Sequence, residues 1–104
     1  MSMVQVLAVI TTKSGMREEV LTLFKANVPN VHAEDGCIEY GPTIDAEGVG
    51  DFQTPYGPDT FVVIEKWESL EHLMTHSTAP HMTAYANSVK GKIADRQIHV
   101  MSAA

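Results

Sequence analysis

The chain has 104 residues, 44% of them apolar, a single Cys, and a formal net charge of −6 from seven basic and thirteen acidic side chains. That length supports one hydrophobic core and not two, so a single globular domain over residues 1–104 is expected and disorder is not. Without a Lys/Arg run the chain lacks a grip on phosphate backbones. One Cys cannot close an internal disulfide, the apolar runs are only strand-sized, and no charged-then-apolar leader opens the chain; nucleic acid and membrane insertion are argued against, and a reduced, cytoplasmic setting is expected.

From Val4 to Thr12 the sequence VQVLAVITT is β-branched and apolar at both parities, the mark of a strand covered on two faces. Lys13, Ser14 and Gly15 turn the chain. Met16, Val20, Phe24, Val28 and Val31 then recur at helical spacing, with a kink or restart expected after Asn27 because Pro29 lacks a donor and crowds the preceding turn. Asp35-Gly36 ends that helix. Cys37 to Thr43 (CIEYGPT) reads as a second strand whose Pro42 suits an edge, with Cys37 a structural thiol.

The stretch from Ile44 to Thr60 is rich in Gly, Pro, Asp and Thr, and reads equally as a lid or as an extended hairpin. Phe61 to Trp67 alternates with period two, so Glu65 and Trp67 share a face. Ser69 is the expected cap of a short helix, with Glu68 and Glu71 at the positive end of its dipole. Ser77 to Pro80 interrupts, Met82, Tyr85, Ala86 and Val89 form the next helix, and Gly91 stops it. Ile93 to Met101 supplies a last strand.

The order β, α, β, β, α, β, with its second helix split, predicts an α+β ferredoxin-like antiparallel sheet with helices on one face. Strands one and three carry apolar side chains on both faces, so a second copy is expected to cover the other one. The expected assembly is a homodimer.

Three stretches, GCIEY at 36–40, FVVIEKWES at 61–69 and HLMTHSTAPH at 72–81, resemble the antibiotic biosynthesis monooxygenase family over almost the whole chain. The resemblance implies a dimeric α/β barrel and a cofactor-independent monooxygenase acting on a quinol or an anthrone-like aromatic with molecular oxygen. It implies no flavin, haem or metal, because the electron-rich substrate reduces oxygen once it has lost a proton. Haem-degrading relatives carry an Asn on the first strand and a late-helix His, where this chain has Leu7 and Ala8, and Tyr85 and Ala86. An isomerase of a small phosphorylated hydroxyketone is the alternative, since His76-Ser77-Thr78-Ala79-Pro80-His81 is similar to its His-x-x-x-Pro-His run. A dimer that binds a small aromatic ligand without turnover is a third possibility.

His76 and His81 are the candidate proton-transfer residues, His81 in a first helical turn that favours the neutral, base-competent ring. Trp67 is expected to line the pocket or close the strand end. Glu65 is expected beside it as a buried acid or as an ion-pair partner of Arg96, and Tyr85 as a substrate-facing phenol or a core residue. His72 and His76 are one turn apart, but His81 lies across a helix break and no HExxH occurs, so no metal site is expected. His32 and His99 read as structural.

Overall fold

Strand β1, Val4–Thr12, buries every second residue, from Val4 through Val6, Ala8 and Ile10 to Thr12, while Leu7, Val9 and Thr11 between them are only half-buried. That contrast divides the fold into a packed face and an open one. In this computed structural model, which describes residues 2–104, β1 lies between β3, Thr60–Trp67, and β4, Ile93–Met101, and β2, Cys37–Thr43, pairs with the far side of β3. Every pairing is antiparallel. Helices α1, Arg17–His32, α2, Leu70–Ser77, and α3, Pro80–Ser88, contribute to the packed face, giving an α+β ferredoxin-like sandwich.

Directly opposed residues point to one side of an antiparallel sheet, so the register fixes what each face carries. Tyr40, Glu65, Val6 and Val100 form one row of the packed face; Phe61, Ile10 and Arg96 form another, four residues further along β1. Phe24 of α1 is the hub of the core. It stacks on Tyr40 at 5.4 Å between ring centroids and meets Phe61 and Tyr85 edge-on, each at 5.6 Å. Truncating such a residue to Ala costs about 3–5 kcal/mol.

Helix α1 runs through Pro29 to His32 without the expected restart. Pro29 stands in the last turn, where it removes one hydrogen bond, and its own carbonyl still accepts from the Ala33 amide at 3.2 Å. Val31, fully buried, holds that turn on the sheet. Pro42 does sit on an edge strand, as expected, because β2 has one neighbour only.

Residues 44–59 form neither strand nor hairpin, so that alternative is not realised. The loop is closed on itself by Asp45, whose carboxylate accepts the Tyr56 amide at 3.0 Å and the Gly57 amide at 2.9 Å. Its foot is fastened to the β1–α1 turn. Asp59 accepts the Gly15 amide through its side chain at 2.9 Å and the Thr12 amide through its carbonyl at 2.7 Å.

Candidate active site

Ser69 begins α2 in extended conformation, and its hydroxyl accepts the His72 amide at 3.2 Å, satisfying one of the open donors of the first turn. That start fixes the helix phase. His72 faces Asp35 at 3.4 Å and packs over Gly36, while His76, one turn later, points inward. Gly36 has φ +82, and a Cβ there would collide with the His72 ring, so the glycine is required on both counts. The close approach brings the end of α1 against α2, with Glu34 beside His76.

His76 is buried among three neighbours. Its ring lies 4.6 Å from Trp67 and 5.4 Å from Tyr40 between centroids, and its Nδ1 is 2.8 Å from Glu34 Oε2. The same oxygen is 3.1 Å from His81 Nε2, and the Asn27 amide donates to His81 Nδ1 at 3.1 Å. A carboxylate only accepts, so His76 Nδ1 and His81 Nε2 are both donors, and neutral His81 then presents Nδ1 as the acceptor that the Asn27 amide needs. Both nitrogens of His81 are engaged. His76 keeps Nε2 without a partner, and since no sealed side-chain nitrogen or oxygen among the described residues lacks one, that nitrogen meets open space.

His76 lines a cavity of about 610 Å³ between the sheet and helices α2 and α3, large enough for a two- or three-ring molecule. His76, Glu65 and Tyr40 stand at its inner end; Tyr85, Met82 and Val89 of the α3 side wall it; Arg96 and Lys90 lie at the other end. Glu65 takes the Trp67 indole N–H on Oε1 at 3.0 Å, and burial pushes its carboxyl above the ordinary value despite that bond and the nearby His76. Burial likewise raises the Tyr85 phenol to about 12 and drives the Tyr40 phenol up. Both phenols are therefore neutral donors at pH 7.

Sequence reading places His76 and His81 in one cluster, and the fold joins them through Glu34. Trp67, expected either to line the pocket or to close the strand end, is fully buried behind the lining, where it packs against the His76 ring and bonds Glu65. Glu65 does not pair with Arg96: the two lie two strands apart and four residues out of register, and the indole is the partner instead. Tyr85 lines the cavity one helical turn after His81 and packs edge-on against Phe24. Glu34 and Asn27 carry no motif. An acid just before Asp35-Gly36 reads as a polar turn residue, and only the close approach over Gly36 shows its role.

Among the described residues no cluster of three His, Cys, Asp or Glu side chains could hold a metal ion, and no helix is long and apolar enough to cross a membrane.

A family model described as antibiotic biosynthesis monooxygenase matches residues 3–88. The probable quinol monooxygenase YgiN of Escherichia coli strain K12 is 41% identical over 101 residues, covering 95% of this chain and 96% of that one. Among solved structures, PA3566 from Pseudomonas aeruginosa has a TM-score of 0.83 at 20% identity, over 100% of this chain and 96% of that one. Rv0793 from Mycobacterium tuberculosis has a TM-score of 0.79 at 24% identity, over 99% and 96%. At those identities the likeness is one of fold.

Proposed function

We propose that this chain, which belongs to the antibiotic biosynthesis monooxygenase family and is a monooxygenase, takes a quinol as substrate, with His76 as the base that ionises it. The observation that carries this assignment is the free Nε2 of a His whose other nitrogen is held by a carboxylate. The relative named as a quinol monooxygenase supports the substrate class, and so does a cavity of two-ring size walled by Tyr, Met and Val.

Quinol and oxygen react slowly because the neutral hydroquinone is a poor electron donor. Removing one hydroxyl proton to His76 Nε2 makes the electron-rich anion, and the charge formed on the ring lies 2.8 Å from the Glu34 carboxylate. Oxygen is reduced by that anion and adds to a ring carbon. The O–O bond then breaks with return of a proton, so that quinol and O₂ leave as hydroxylated quinone and water. Glu65, whose burial favours the protonated carboxyl, donates a hydrogen bond to a substrate oxygen, and apolar side chains surround the middle of the cavity where the anion forms. The substrate is the reductant, so no flavin, haem or metal is required.

His81 is a positioning residue here, since its Nε2 holds Glu34 and its Nδ1 is held by the Asn27 amide. Oxygen uptake with a naphthohydroquinone separates the two roles. His76→Ala should lower turnover by about two orders of magnitude or more, and His81→Ala by distinctly less. Equal losses, or a larger loss at His81, would reverse the assignment.

The working unit in this proposal is a homodimer, joined across the sheet face that carries Leu7, Val9, Val62 and Ile64 and no helix, in a reduced cytoplasmic setting that suits the free Cys37.

A further inference from the structure

The cavity is not chemically uniform along its length. Its inner end holds His76 and Glu65; its far end, toward the Ile10–Arg96 row of the sheet and the end of α3, holds Arg96 and Lys90 with the polar side chain of Asn87. Of four basic residues close to the site in sequence, two are otherwise disposed. Lys66 points to the opposite face of the sheet with Gln5, and Lys92 pairs with Glu19 of α1 at 3.2 Å. Arg96 and Lys90 form no ion pair among the described residues, although the chain carries thirteen acids. No carboxylate lines that end of the cavity. In an acidic protein, two unpaired cations on a cavity wall leave a place for an anion brought by the ligand.

The register gives the reach. From Glu65 to Arg96 is four residues along the strands and two strands across, about 13 Å by about 10 Å between backbone positions at the usual spacings, a span that the two side chains shorten where both line the cavity. Arg96 is exposed to solvent on its outer side and lines the same cavity as Tyr85. A fused two-ring quinol with a hydroxyl at His76 spans the apolar middle. A substituent on its distal ring then meets Arg96.

Resting on the quinol assignment above, we propose that the substrate is an anionic quinol, bearing a carboxylate or comparable oxyanion on the ring remote from the reacting hydroxyl, and that Arg96, assisted by Lys90, is the residue that selects it. The guanidinium fork matches a carboxylate in two parallel hydrogen bonds, and Lys90 adds a second, mobile charge.

Binding tests this without turnover. Trp67, the only Trp, reports on the cavity through His76 and Glu65, so quenching of its fluorescence gives a Kd for unreactive quinones. The probes are 1,4-naphthoquinone-6-carboxylate and its neutral 6-carboxamide, each with wild type, Arg96→Gln and Arg96→Lys. Wild type should prefer the carboxylate by about tenfold at low salt, Arg96→Gln should bind the two alike, and Arg96→Lys should restore part of the preference. Equal affinities in wild type, a preference that survives Arg96→Gln, or no quenching by either probe would overturn the proposal. Oxygen uptake with the two reduced probes is measured beside it: selective binding without turnover would retain the anion site and count against the monooxygenase chemistry, whereas turnover without selectivity would do the reverse.

Discussion

At the level of single residues, the site rests on a carboxylate shared by two histidines and on a second carboxyl kept apart from it. Glu65 gives this a thermodynamic signature. Burial raises its pKa above the ordinary 4.5, so the folded chain holds that proton more tightly than the unfolded one. Its contribution to stability is complete below 4.5 and falls as pH rises toward the folded-state pKa. Glu65→Gln keeps an acceptor for the Trp67 indole and cannot ionise. The difference in denaturant midpoint between variant and wild type should therefore change with pH over the window in which Glu65 ionises, in the variant's favour as pH rises; parallel curves would mean that burial does not raise the Glu65 carboxyl. Period two along Phe61–Trp67 made the shared face of Glu65 and Trp67 legible in the sequence, though not the hydrogen bond between them, and the clustering of His marked α2 and the start of α3. The hydrogen bonds of Glu34 were not legible, because they join residues 42 and 47 positions apart.

Among the elements, strand and helix positions followed from alternation, capping and glycine stops, since those signals are local. Two departures have tertiary causes. Pro29 is carried through the last turn of α1 by the buried Val31, and residues 44–59 take a shape set by Asp45 rather than by strand pairing. The two amides bonded to Asp45 hold its carboxyl below the ordinary 3.8, so the clasp stays closed at neutral pH and opens only as pH falls through the depressed value. Asp45→Ala should speed hydrogen exchange at the Tyr56 and Gly57 amides by about tenfold or more at neutral pH, with β1 unchanged. Protection equal to wild type would show that the loop is held by something else.

For the whole molecule, the unequal faces of the sheet are what the proposed homodimer rests on. Leu7 and Ile64 are paired in register on the face without helices, with Val9 and Val62 beside them, and Ile64 is 37% exposed in the single chain. Apolar rows of this kind are covered by a partner in soluble proteins. Light scattering should give a dimer at micromolar concentration, and Ile64→Glu should give a folded monomer because it places a charge in the centre of the joint. A monomeric wild type would remove the dimer. The central claim, that His76 ionises a quinol which then takes up oxygen, is tested most directly by oxygen consumption with a naphthohydroquinone under ¹⁸O₂, corrected for spontaneous oxidation. Saturable uptake with one labelled oxygen in the hydroxylated quinone, largely abolished in His76→Ala, is the predicted result; uptake no faster than the uncatalysed rate, or an unlabelled quinone product, would contradict it.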